Sequence, residues 1–278
     1  MPHREPKIYV LPNLMTAGNL FCGFMAVLTI FRGMAEVGND LDFAHGMYQR
    51  AILLIFGACI FDMLDGRLAR LGGRESPFGR EFDSLADVVS FGVAPALLAF
   101  KVVLIDLPEE AGWLIAFLYL LCGAMRLARF NCVAAEAEYS ENQGDPEPSP
   151  RDFTGLPIPM AAATIAALTM FMMWMAEGER DPGVGRFMLA ALMVGLALLM
   201  MSHISYPSFK KINWRSRGSL PLVICIFLLL VVTVRYYHVM PAVICVAYVG
   251  YGFLRPLLPA RLRTSIETPF PDDEDPPK

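Results

Sequence analysis

Long apolar runs alternate with short polar breaks along almost the whole chain. A membrane-crossing helix needs about 20 mostly apolar residues, and eight runs meet that need. They cover roughly residues 14–35, 47–70, 79–105, 111–133, 156–177, 184–204, 219–236 and 238–257. This pattern predicts an all-α membrane helix bundle, because only helices or closed barrels satisfy their backbone polar groups inside lipid. The second and third runs are unusual. Each is apolar at one end and rich in Asp and Arg at the other, and their polar ends face each other across Leu71 to Phe78. The longest polar insert, Ala134 to Asp152, contains ENQGDPEPSP and reads as a mobile loop. The Pro- and Asp-rich tail reads as disordered. The expected organisation is a cytoplasmic segment 1–13, a transmembrane domain 14–215, two additional spans at 216–258 and a tail at 259–278.

Composition agrees with burial in lipid. Of 278 residues, 55% are hydrophobic and 18% charged, against about 25% charged in an ordinary soluble domain. The net charge of −4 carries less information than where the charges sit. With the N-terminus in the cytoplasm, 17 of the 23 basic residues fall on the cytoplasmic side and six on the other. That asymmetry follows the positive-inside rule. It puts the Asp-rich ends of runs two and three at the cytoplasmic face of the cell (inner) membrane. The six cysteines lie almost all within apolar runs, with no CxxC pair, and read as small core hydrophobes. The first apolar run has no convincing cleavage site and reads as an uncleaved span. No nucleic-acid partner is expected.

The chemistry concentrates between Asp62 and Asp87, in DMLDGRLARLGGRESPFGREFDSLAD. Asp62 and Asp65 are three apart and share a helix face; Asp83 and Asp87 are four apart and do the same. A turn at Gly72 and Gly73 could lay the two helices side by side and bring four carboxylates to one point. Close carboxylates at the edge of a low-dielectric bundle repel and take up protons unless cations join them. Hard oxygen donors without His or Cys suit Mg²⁺, Mn²⁺ or Ca²⁺ rather than zinc. Two ions for four carboxylates would clamp the attacking and leaving oxygens of a phosphoryl displacement. Taken singly, an interfacial Asp usually pairs with an Arg, and Arg67, Arg70, Arg74 and Arg80 are at hand. Four at these spacings with small residues between them argue for a site instead.

The skeleton Asp62-x2-Asp65-Gly66-x2-Ala69-Arg70-x8-Gly79-x3-Asp83-x3-Asp87 resembles the signature of the CDP-alcohol phosphatidyltransferase family without departure at any of its eight fixed positions. The resemblance implies a core of six membrane helices, a homodimer and a site for two divalent ions, Mg²⁺ or Mn²⁺. It implies metal ligation by Asp62, Asp65, Asp83 and Asp87, with Asp87 also the general base. It further implies CDP binding along Gly66, Ala69, Arg70 and Gly79. The segments LPNLMTAGNLFCGFMA, CGAMRLARFN, FTGLPIPMAA and SHISYPSFKK resemble those family members whose substrates are CDP-diacylglycerol and L-serine.

Arg126 and Arg129 lie three apart at a helix end and could grip a carboxylate or phosphate in bidentate fashion, with Asn131 close behind. Each also serves the positive-inside bias. Pro157 and Pro159 read as a helix start and kink, and Lys210 and Lys211 as an anchor to anionic headgroups. Two other readings stay open. The same chemistry could use glycerol 3-phosphate, an inositol compound or choline as acceptor. A cation transporter would also carry membrane acids, though usually nearer the bilayer midplane on broken helices.

Overall fold

The computed structural model describes residues 10–71, 76–107, 110–143, 155–177, 183–202, 204 and 219–255. Every regular element among them is helical. In chain order these are α1 (Val10–Glu36), α2 (Leu41–Leu71), α3 (Pro77–Asp87), a π-helical turn (Val88–Val93), α4 (Ala94–Val102), a 3₁₀ turn (Leu104–Asp106), α5 (Ala111–Gln143), α6 (Ile158–Glu177), α7 (Gly183–Met201), α8 (Ser219–Arg235) and α9 (Met240–Leu254). Each predicted apolar run coincides with a helix or, for the third, with the continuous α3–π–α4 rod. By length and composition, four of these helices can cross a membrane: Leu11–Glu36, Pro77–Val102, Ala111–Glu136 and Ile158–Ala176. With the apolar belt described below, they make this an integral membrane protein.

The centre of the bundle is α6. Ala161, Ala162, Ile165, Ala166, Ala167 and Met170 are all buried, and α6 packs against α2, α4, α7, α9 and the π turn. Lipid tails offer no hydrophobic contrast to apolar side chains, so small residues that let backbones approach supply the packing. Large apolar side chains point outward instead: Phe21, Phe24, Leu114, Phe117, Phe187 and Leu198 are each more than half exposed. A soluble protein would bury them, whereas lipid accepts them.

Two expectations are corrected. The polar insert from Ala134 is not loop throughout, because α5 continues to Gln143. Its residues AAEAEYSENQ are mostly sound helix formers, and no helix breaker occurs before Gly144; residues 144–152 lie outside the described set. Pro159 does not kink α6. The Ala161 N–H donates to the Pro157 carbonyl at 3.1 Å, so Pro159 falls in the first turn, where a missing N–H costs nothing.

Two glycines are dictated by geometry. Gly155 has φ of +89°, and a Cβ there would strike the Met200 carbonyl oxygen; its N–H donates to the Ile204 carbonyl at 2.9 Å, tying the start of α6 to the end of α7. At Gly23 a Cβ would come 2.6 Å from the Ser90 Cα, so α1 can lie directly on the π turn.

Candidate active site

The site is built on α1, which packs along α2 and also against α3 and the π turn. The two Asp-bearing helices were expected to meet through a turn at Gly72 and Gly73, which lie outside the described residues. In the fold each packs on α1, and their carboxylates converge there. Asp62, Asp83 and Asp87 each offer a carboxylate oxygen, and these oxygens all lie within 4.8 Å of one another.

Local sequence explains how α3 delivers its pair. Ser76 caps the helix, its Oγ accepting the Gly79 N–H at 3.0 Å, and Pro77 occupies the first position with φ already set. Such caps stabilise a helix by about 1 kcal/mol. Two turns of α3 later Asp83 and Asp87 share one face. The widened π turn then begins immediately. Tyr119 on α5 donates its hydroxyl to the Phe91 carbonyl at 2.9 Å, satisfying a carbonyl in this irregular stretch. Ser90 donates to the Asn19 carbonyl at 2.9 Å.

The fourth aspartate stands slightly apart. Asp65 is buried, and Thr16 on α1 donates to its Oδ2 at 2.7 Å. It remains within electrostatic reach of Asp62 and Asp87. Asn19, also on α1 and fully buried, donates through Nδ2 to Asp87 Oδ1 at 2.9 Å. The Asn19 Oδ1 is buried and accepts no hydrogen bond among the described residues. One helix therefore orients an aspartate from each of the two others.

This donor set fits a hard divalent cation. Three carboxylate oxygens within 4.8 Å repel one another, and the burial of Asp87 removes water that would screen them. Only hard oxygen donors converge, with neither imidazole nor thiolate in the group.

The other predicted residues divide. Among the described residues nothing stands within 4 Å of where a Gly66 Cβ would be, so α2 presents open space to them one residue beyond Asp65. A Cβ at Gly79 would meet Ser76 Oγ at 3.1 Å and Asn13 Oδ1 at 3.3 Å; its smallness lets the start of α3 close onto α1. Ala69 and Arg70 belong to α2, but their side chains lie outside the described set, as do Lys210 and Lys211. Arg126 lies within electrostatic reach of Asp87. Arg129 is exposed one turn further along α5. Asn131 donates to Ser84 at 3.0 Å and to Glu81 at 3.1 Å, on α3 but one step around from Asp83 and Asp87.

Thr16, Asn19 and the neighbouring Asn13 were not singled out from sequence. Their signal was present: three polar side chains at intervals of three inside an apolar run. Polar residues in a membrane helix face the bundle interior and mark function by default.

Comparison with known proteins places the chain in a family. Residues 9–202 match the family model for CDP-alcohol phosphatidyltransferase. The chain is 36% identical over 228 residues to a CDP-diacylglycerol–serine O-phosphatidyltransferase of Helicobacter pylori (strain ATCC 700392 / 26695), covering 81% of this chain and 82% of that one. It is 33% identical over 201 residues to the enzyme of the same name from Bacillus subtilis (strain 168), covering 72% and 92%. It is also 34% identical over 201 residues to an archaetidylserine synthase of Methanothermobacter thermautotrophicus, covering 71% and 69%.

Proposed function

The chain belongs to the CDP-alcohol phosphatidyltransferase family, and from that premise we propose that it transfers a phosphatidyl group from CDP-diacylglycerol to the hydroxyl of L-serine, giving phosphatidylserine and CMP. The observation that carries the transfer chemistry is the convergence of Asp62, Asp83 and Asp87 within 4.8 Å. The names of the relatives in bacteria and an archaeon support serine as acceptor.

In this reading Asp62, Asp65, Asp83 and Asp87 hold two divalent ions, Mg²⁺ or Mn²⁺, with Thr16 and Asn19 fixing the carboxylates from behind. When bound, such ions neutralise the diphosphate of the donor and make its β-phosphorus more electrophilic. Gly66, Ala69, Arg70 and Gly79 lie along the path of the CDP group, and the open space beside Gly66 supports that placement. Asp87 takes the serine hydroxyl proton as the oxygen attacks. A bond forms from the serine oxygen to the β-phosphorus. The bond to the oxygen bridging the two phosphates breaks, and CMP leaves with the electron pair. The donor's acyl chains stay in lipid. The site opens to the cytoplasm at the inner membrane, in a chain of eight spans that works as a homodimer. The transfer domain is 14–215, followed by the two spans of 216–258.

The test is direct. Purified protein is given CDP-diacylglycerol with each of L-serine, glycerol 3-phosphate, inositol, inositol phosphate and choline, and CMP release is followed. Release that depends on serine and on a divalent ion is expected. Release with another alcohol alone would move the acceptor assignment and keep the chemistry. No release with any of them would overturn the reading. A cation transporter would show ion flux without CMP.

A further inference from the structure

The last described helix, α9, lies beyond the matched family region, which ends at residue 202. Yet it is no appendage. At its start His238 stacks on Trp174 near the end of α6, with ring centroids 6.4 Å apart and planes 16° apart. Further on, Ala242 and Cys245 are buried against Ala163 and Ala167 of α6, with Phe56 and Cys59 of α2 packed on the same cluster. The helix thus runs antiparallel to α6, and its second half arrives where α6 begins. There the Cys59 thiol lies 3.7 Å from the Pro159 carbonyl. Cys59 sits three residues before Asp62 on α2, so one further turn along α9 comes to the level of the carboxylates.

Tyr248 occupies that turn. It is half-buried and packed on the main core cluster, within electrostatic reach of Arg126. Arg126 in turn feels Asp87 across the site. Its Nε is enclosed without a hydrogen-bond partner among the described residues. A guanidinium keeps its charge in any such setting, and a buried charged donor left unmade is costly. Asp87 offsets part of the charge but leaves the Nε donor without a partner. What would complete the group is an anionic oxygen, and a phenol hydroxyl beside a guanidinium supplies a second donor to the same oxygen.

We propose that Arg126 and Tyr248 together bind an anionic group of a substrate, and that α9 is in this way a working wall of the active site. The inference rests on the transfer reaction proposed above. Two groups carry the required chemistry: the carboxylate of the acceptor and the diphosphate of the donor.

The experiment uses full-length protein in detergent or nanodiscs, with Tyr248→Phe, Arg126→Lys and two controls. Tyr236→Phe removes a hydroxyl from an exposed ring in the turn that precedes α9. Val249→Ala weakens α9 packing on its buried face. Losing one hydrogen bond to a charged group raises a KM by about ten-fold or more. Tyr248→Phe and Arg126→Lys are expected to raise the same KM, with kcat and thermal midpoint little changed. A rise for serine identifies the carboxylate; a rise for CDP-diacylglycerol identifies the diphosphate. Both KM values staying within about two-fold for Tyr248→Phe overturns the proposal. So does an equal KM shift in Val249→Ala, which would make the role structural. Should Tyr248→Phe not accumulate as folded protein, Tyr248→Leu, which also lacks a donor, takes its place. If serine is not the acceptor, the KM of whichever alcohol releases CMP is read instead. If none does, equilibrium binding of CDP-diacylglycerol to the same variants still decides the point.

Discussion

Asn19 and Asp87 are 68 residues apart in sequence, and the amide of the first donates to the carboxylate of the second at 2.9 Å inside the bundle. Three residues before Asn19, Thr16 does the same for Asp65 at 2.7 Å. Neither donor can serve as a strong metal ligand, but each fixes the direction in which its aspartate points. Groups that orient ligands in this way typically contribute 10–100-fold to metal affinity or activity.

Thr16→Val is isosteric and deletes only the hydroxyl. Activity at limiting Mg²⁺ is expected to fall about 10–100-fold, with recovery as the metal concentration is raised. A titration of CMP release against Mg²⁺ measures it. An unchanged half-saturating concentration would sink the role given to Thr16.

Asp62→Asn and Asp83→Asn each leave two carboxylates where three converge. Activity is expected to disappear while the protein stays folded by size-exclusion chromatography. A chelator should abolish wild-type activity, with return on addition of Mg²⁺ or Mn²⁺. Full activity in Asp83→Asn would remove the metal site from the mechanism.

Asp87 is assigned the proton as well as a metal. A positioned base contributes roughly 10²–10⁴-fold, and Asp87→Asn should lose at least that much. Direct displacement predicts inversion at a chiral β-phosphorus. Retention would mean two displacements and a lipid held covalently by the enzyme.

Orientation is tested at the ends of α5. In a cysteine-free background, Glu110→Cys should react with an impermeant thiol reagent from outside the cell. Tyr139→Cys, at an exposed position on the extended end of the helix, should react only from the cytoplasmic side. The reverse pattern would invert the topology.

How much of this was legible before folding depends on range. The Asp62 to Asp87 skeleton and the apolar runs are local patterns, so spacing alone revealed both. The extension of α5 through Gln143 was hidden because polar helix and polar loop look alike once a helix leaves lipid. The clamp formed by α1 was hidden for another reason. Thr16 and Asn19 find their aspartates 49 and 68 residues away, and no local pattern encodes such a pairing. At Asn131 the fold adds a second long-range pairing that proximity to two arginines did not reveal: its amide joins α5 to Ser84 and Glu81 of α3.

The placement of both donors on α1 also sets an order of assembly. Synthesis runs from the N-terminus at roughly 5–20 residues per second. The first helix therefore enters the bilayer seconds before Asp65 and Asp87 exist, carrying Asn13, Thr16 and Asn19 with no acid to receive them. During that interval Thr16 and Asn19 lack their acceptors inside an otherwise apolar span, and α2 and the α3 rod supply them on arrival. Capture of α2 and then the α3 rod by waiting donors would make the site a product of insertion order. A chain lacking Thr16 and Asn19 is then expected to show slower maturation in the membrane, separate from any loss in turnover. Pulse-chase protease protection, compared between wild type and the double variant, reads that delay.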